Sequence, residues 1–328
     1  MTTIIVETPS RLHFSLIDLN GELQRIDGGL GIALQRPGFK VCASNANTLE
    51  ISGKTSDRFT ETIVKFAKAQ GLEPKARIEI FETIPQHVGL GSGTQCALAL
   101  GYALARLHGL ELSPREIGGT MGRGSTSGVG IAVFEGGGFN LDGGHRFGTH
   151  GDKVSFQPTH MSNASPAPLL LRYRVPEEWR FVVAIPNVGL GKHSSEEVAA
   201  FAKFCPIPAA EVANLCRLIL VRLLPSLVER DAKSFGQALS QIQDIGFKKT
   251  ELELQDPIVE ELLHFFVEKG ALGAGMSSFG PTAYGLVDEQ STAEQLAESV
   301  REFLDNRMGG DVFFSKVNNS GAKVSVIE

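Results

Sequence analysis

Residues 84–97, IPQHVGLGSGTQCA, place Gly89, Gly91 and Gly93 with Ser92 and Thr94 between a strand-like run and an alanine-rich helical pattern. Glycine at that density is costly in chain entropy, and what it allows is a close approach of backbone N–H groups to something else. A helix N-terminus leaves its first amides unpaired and carries partial positive charge. A glycine turn set in front of one can therefore wrap a phosphate or pyrophosphate, with the two hydroxyls as further donors. A tight structural turn has the same composition, so the loop alone leaves both readings open. It is not a Walker loop, because Thr94 stands where the lysine would follow the last glycine.

The rest of the chain bounds the possibilities. With 328 residues, 42% of them hydrophobic and 21% charged, it has the size of two globular domains. A formal charge of −6 speaks against a general nucleic-acid binder but leaves room for a small anionic substrate. Cys42, Cys96, Cys205 and Cys216 are scattered, without zinc spacing, which predicts a reducing, cytoplasmic setting. Neither a signal-peptide pattern nor an 18-residue apolar run is present, so no membrane association is expected.

Alternation predicts strands at 2–8 and 30–43, punctuated by Pro9 and Pro37. Periodicity places Phe59, Ile63, Val64, Phe66 and Ala67 on one face of a helix over 57–70, and a strand follows at 76–83. A helix runs from Ser92 to His108, and Ser113-Pro114-Arg115-Glu116 opens another with a capping box. Residues 118–151 contain 13 glycines in 34 positions and predict tight turns packed close to a ligand. The proline- and serine-rich passage 158–170 marks a domain border near residue 165, giving domains 1–165 and 166–328. Beyond it come a strand at 180–186 and a helix capped by Ser194-Ser195-Glu196-Glu197. Helices at 209–224, 230–244, 257–269 and 291–305 follow, with strands in 270–287, 311–317 and 322–327. Strands and helices mix without regular alternation, which predicts two α+β layers.

Four stretches, PSRLHFSLID, IPQHVGLGSGTQ, GRGSTSGVGIAVFEGGGF and GALGAGMSSFGPTAYGL, occur in the order and spacing of the GHMP kinase superfamily signatures, which the chain resembles. The resemblance implies a GHMP-kinase-like two-domain fold: a ribosomal-protein-like N-terminal domain, a ferredoxin-like C-terminal domain, and a site in the cleft. Kinases of that superfamily that use a base carry an Asp where this chain has Gly130. A glycine cannot take a proton from a hydroxyl, but homoserine kinases manage without that Asp, so a small-molecule kinase using ATP stays open as the alternative. RLHFSLIDLNGELQRIDGGLGIAL, GLGSGTQ, GRGSTSGVGI and GGFNLDGGH together resemble the β-ribofuranosylaminobenzene 5′-phosphate synthase family, a non-kinase branch. What this implies is condensation of phosphoribosyl pyrophosphate (PRPP) with 4-aminobenzoate or a similar aromatic carboxylic acid, releasing pyrophosphate and CO₂, as in tetrahydromethanopterin biosynthesis. The related C-nucleoside synthases share the pattern, so a pyrazole carboxylic acid is the alternative acceptor. Mg²⁺ bound with the pyrophosphate is the expected cofactor, with no organic one. The expected partners are the two substrates and a second copy of the chain.

Such a reaction needs donors for departing pyrophosphate, and Gly89, Gly91, Ser92, Gly93 and Thr94 suit that task. Arg123 with Ser125, Thr126 and Ser127, and Lys192 with His193, are further anion-binding candidates. The acceptor carboxylate calls for a bidentate arginine, Arg25 first and Arg11 second; Arg25 could equally pair with Asp27 or Glu22 on the surface. Asp18 and Asp27 flank Arg25 as catalytic candidates, though their Asn-Gly and Asp-Gly settings also suit turns. Asp142 and His13 complete the acceptor and ribose set, Asp142 being equally fit as a turn former. Because CO₂ leaves where a proton otherwise would, no strong base is needed at Gly130. The metal ligands stay unassigned.

Overall fold

The computed structural model describes residues 2–54, 57–188 and 193–327, with only the backbone of residues 193 and 194. Its first layer is built on two long antiparallel strands, β1 (Thr3–Asp18) and β2 (Arg25–Asn45). Both outrun the expected stretches, because Pro9 and Pro37 do not break them. The register jumps from Thr8↔Phe39 to Ser10↔Leu34, so both prolines fall in a bulge where a missing N–H costs no ladder bond. A second irregularity lies between His13 and Ser15. β3 (Glu50–Gly53), β4 (Ala76–Glu82), β5 (Phe139–Asp142), β6 (His145–Arg146), β7 (Leu169–Tyr173) and the C-terminal β12 (Lys323–Ile327) complete the sheet, whose main path is β12-β1-β2-β4-β3.

Helices α1 (Asp57–Ala69), α2 (Ser92–Leu107), α3 (Pro114–Thr120) and α4 (Val129–Gly136) pack with this sheet. α1 buries Phe59, Ile63, Phe66 and Ala67, whereas Val64, expected on that face, is 45% exposed. α2 is buried from Gln95 to Gly101, its alanines and glycine letting sheet and helices approach from both sides. α4 lies inside the glycine-rich segment read as turns: four consecutive apolar residues, Ile131 to Phe134, outweigh the surrounding glycines once they find a core.

The second layer is β8 (Arg180–Pro186), helices α5 (His193–Phe204), α6 (Ala209–Leu218), α7 (Leu224–Glu229), α8 (Ala232–Ile242), α9 (Gly246–Glu253) and α10 (Pro257–Glu268), then β9 (Gly273–Met276), β10 (Ala283–Val287), α11 (Gln290–Asp305) and β11 (Gly310–Lys316). A π-helical turn at Ile219–Leu223 joins α6 to α7. The antiparallel order β11-β8-β10-β9 puts the four strands fourth, first, third, second, which is the ferredoxin-like arrangement. The α+β expectation holds.

The border differs from residue 165. β7 pairs with β5, and β12 returns to β1, so the first layer runs to residue 173 and takes back the chain's last strand. The proline-rich passage is a loop laid across that layer, tied by Ala167 N–H to the Gly124 carbonyl and by Gly143 N–H to that of Pro168. Phe14 of β1 packs on Phe139 and, across the layers, on Phe181 and Tyr284. One apolar core thus spans both layers and holds the cleft between them. Among the described residues no single helix is long and apolar enough to cross a membrane.

Candidate active site

The glycine loop opens α2 as its composition requires. Gly91 sits at φ +79°, and a Cβ there would lie 2.8 Å from Arg11 Cγ, so only glycine fits without strain. The Thr94 and Gln95 amides donate back to the Gly91 carbonyl at 3.1 Å. Those of Ser92 and Gly93 have no backbone acceptor among the described residues. Gly89, at φ +96°, would place a Cβ 2.2 Å from the Ser277 carbonyl oxygen, because the third signature stretch clamps the loop from behind. Ser277 Oγ donates to the Gly89 carbonyl at 2.7 Å and accepts from His13 N–H; Thr282 Oγ1 donates to Val88.

In front of the loop lies a cavity of about 440 Å³, within the usual size for a small-molecule site. Arg11, His13, Arg58, Arg123, Thr126, Ser127, Glu197 and Glu251 line it together with Gly89, Gly91, Ser92, Gly93 and Thr94. Two arginines converge at the mouth of α2: a Cβ on Gly93 would be 2.6 Å from Arg58 Nη2 and 3.4 Å from Arg123 Nη1. Arg123 Nε is buried without a partner. Burial, and then Arg58, push the Arg123 guanidinium below its ordinary pKa. Arg11 donates to the Gly89 carbonyl; burial lowers its pKa to about 10 against the pull of Glu251 and Glu197.

β1 lays three side chains along the cavity. Arg11 and His13 share a face by strand alternation, and the irregularity after His13 brings Leu16, rather than Ser15, onto the same wall. His13 is 5% exposed and neither ring nitrogen has a partner among the described residues. Its pKa lies well below the ordinary value, through burial first and the Arg11 and Lys248 charges next, so the ring is neutral. Lys248 is buried, pairs with Glu251 at 2.5 Å and donates to the Met276 and Ser278 carbonyls.

The other expected residues divide. Thr126 and Ser127 line the cavity, but Ser125 turns its hydroxyl to the Thr159 carbonyl. Asp142 stands behind the wall, accepting from Ser127 Oγ and from the Gly128 and Gly144 amides, while burial raises its pKa to about 6. It braces Ser127. Arg25 lies outside the cavity, exposed, with its guanidinium on the Gly143 and Gly144 carbonyls. Asp18 caps a turn through Asn20 and Gly21 N–H. Asp27 is buried against His145 Nδ1 at 2.7 Å and Lys153 Nζ at 2.9 Å. The three flank a separate apolar groove, because strand polarity carries residues 18–27 away from the loop. Lys192 lies outside the described residues, as does the side chain of His193.

Sequence reading missed Arg58, Glu197, Lys248 and Glu251. Arg58 is one basic residue in a helix's first turn, and Glu197 looks like part of a capping run, so no local pattern sets either apart.

This two-layer architecture with a glycine loop at the mouth of α2 is that of the GHMP superfamily. Family models for the GHMP kinase N-terminal domain and C-terminal region match residues 57–138 and 223–306. Solved homoserine kinase from Cytophaga hutchinsonii superposes with a TM-score of 0.65 at 18% identity, over 98% of this chain and 97% of that one. Mevalonate kinase from L. major gives a TM-score of 0.66 at 12% identity over 96% of each chain. Sequence relatives are narrower. Proteins named β-ribofuranosylphenol 5′-phosphate synthase are 40% identical in Archaeoglobus fulgidus, over 98% of this chain and 99% of the relative, and 40% identical in Methanothermobacter thermautotrophicus, over 88% and 89%. The chain belongs to this synthase family and is an enzyme of the transferase class.

Proposed function

We propose that the protein joins PRPP to 4-aminobenzoate or a similar aromatic carboxylic acid, forming a C-glycoside with loss of CO₂ and pyrophosphate. The relatives' names describe a ribofuranosylphenol product, which favours 4-hydroxybenzoate within that acceptor class. The observation that carries the reading is the pair Arg58 and Arg123 over the open amides of Ser92 and Gly93. Oriented donors in a partly dry cleft stabilise charge that grows on a leaving group more than charge already present.

The chemistry follows from that end of the cavity. Pyrophosphate leaves C1 of the pentose with the bonding pair and settles against the arginines and the loop. The ring carbon bearing the acceptor carboxylate attacks C1, and loss of CO₂ returns the electron pair to the ring. Arg11, which lines the cavity where Arg25 does not, takes the role of orienting that carboxylate in this reading. Neutral His13 offers one acceptor and one donor nitrogen, which suits the pentose hydroxyls. Mg²⁺ carried on the diphosphate would neutralise part of its charge, with the Ser92 and Thr94 hydroxyls as nearby oxygen donors. Among the described residues no group of three or more His, Cys, Asp or Glu could hold a metal.

A kinase reading is disfavoured at Gly130. It lines the cavity, its carbonyl accepts from Gln95 Nε2 at 2.7 Å, and a Cβ would sit 3.0 Å from Thr94 Cγ2. This chain supplies no carboxylate at that position, and one built there would need Thr94 to give way by a few tenths of an ångström. Incubation with Mg²⁺, PRPP and each labelled benzoate is expected to release pyrophosphate and CO₂ in equal amounts; ADP from ATP and a small alcohol, with neither product from PRPP, would overturn the proposal. Arg25→Lys is expected to leave acceptor KM within about twofold, as for a surface substitution. A selective loss of acceptor use would return Arg25 to the site.

A further inference from the structure

An anion-binding cavity that also carries two carboxylates needs an explanation. Glu197 of α5 and Glu251 of α9 each stand four residues from a phenylalanine on the same helical face, Phe201 and Phe247. Those rings pack at 4.7 Å, so the two helices present their glutamates side by side to the cavity. Phe201, Phe247 and Leu16 belong to one apolar cluster, and Leu16 is the one aliphatic side chain on the cavity wall among the described residues. This lobe pairs an apolar floor with carboxylates, whereas the other lobe pairs the helix mouth with Arg58 and Arg123. Glu251 is committed to Lys248. Glu197 makes no salt bridge among the described residues, and the buried His13, with two unpartnered ring nitrogens, faces the same space.

Resting on the synthase reading above, we propose that Glu197 recognises the hydrogen-bond donor group para to the acceptor's carboxylate and, when that group is a phenol, takes its proton as the ring attacks. A flat apolar ring suits the Leu16 floor, and its O–H or N–H suits a carboxylate without a cation. In the phenol case the new C–C bond forms at the ring carbon bearing the carboxylate, the C1–O bond breaks with its pair on pyrophosphate, and the phenolic proton moves to Glu197. The intermediate is a neutral dienone with carboxylate and pentose on one tetrahedral carbon. Breaking the bond to CO₂ returns two electrons to the ring as phenolate, which recovers the proton from Glu197. With an amine no proton need leave nitrogen, and Glu197 accepts a hydrogen bond as positive charge grows on the N–H. Burial and the neighbouring Glu251 hold the Glu197 carboxyl up, to about 7, with Arg11 opposing, so it can both take and return a proton near neutrality.

The test compares Glu197→Gln with the wild type on PRPP with 4-hydroxybenzoate and with 4-aminobenzoate, following pyrophosphate and CO₂, and measures PRPP affinity by calorimetry with Mg²⁺. The expected result is a loss of roughly 10²-fold in kcat/KM for the phenol acid, a loss at least tenfold smaller for the amine acid, and unchanged PRPP affinity, which also shows that the variant folds. The wild-type phenol profile should rise through about pH 7 and flatten in the variant. Glu197→Asp should recover part of the phenol rate. Equal losses for both acceptors, or weakened binding of PRPP with Mg²⁺, would overturn the assignment while leaving the synthase reading intact. A wild type that turns over neither acid would remove both.

Discussion

Arg123→Ala is expected to lower kcat/KM for PRPP by about 10²–10³-fold while leaving the melting temperature unchanged or slightly higher. The rate effect is the usual size for removing one preorganised donor from a site where charge develops. The stability effect has the opposite sign for a physical reason. In the ligand-free protein the Arg123 guanidinium is mostly buried, its Nε has no partner, and Arg58 stands beside it at the mouth of α2. Two cations held close without an anion cost folding free energy, which pyrophosphate would recover on binding there as proposed above. Pyrophosphate should therefore raise the wild-type melting temperature more than the variant's. A variant that loses stability and activity together would mark Arg123 as structural. Arg123→Lys should fall between, since lysine keeps the charge without the planar fork.

Asp27→Ala is expected to cost about 3–5 kcal/mol of stability, seen as a lower urea midpoint with an unchanged slope. Asp27 Oδ2 takes Lys153 Nζ at 2.9 Å and His145 Nδ1 at 2.7 Å, with each of the three side chains at most 3% exposed. Lys153 also donates to the Ser125 and Gln157 carbonyls, and His145 Nε2 meets that of Ser165. Removing the carboxylate leaves the lysine charge buried and frees the loop that presents Thr126 and Ser127. Fully folded protein that loses turnover alone would instead restore Asp27 to a catalytic role.

Much of this molecule was legible locally. IPQHVGLGSGTQCA announces a turn that needs glycine and a helix that needs a partner for its first amides, and both are short-range consequences of chain geometry. The apolar run in 180–186, the capping box at Ser113 and the periodicity of 57–70 are of the same kind, as is the order of the signature stretches. Gly130 could be weighed without a structure, because a missing side chain is missing in any fold.

What the chain alone could not settle is direction. Asp18, Arg25 and Asp27 sit in a conspicuous turn-rich run, yet β1 and β2 carry them to another face, and no composition encodes which way a hairpin end points. Arg58, Glu197 and Glu251 come from three helices scattered through the sequence. They meet only because the ferredoxin-like layer packs on the first through Phe14 and brings α5 and α9 over the loop. Local backbone preferences act over a few residues and are written there. The cavity is set by the packing of two layers, a long-range effect that no short stretch contains.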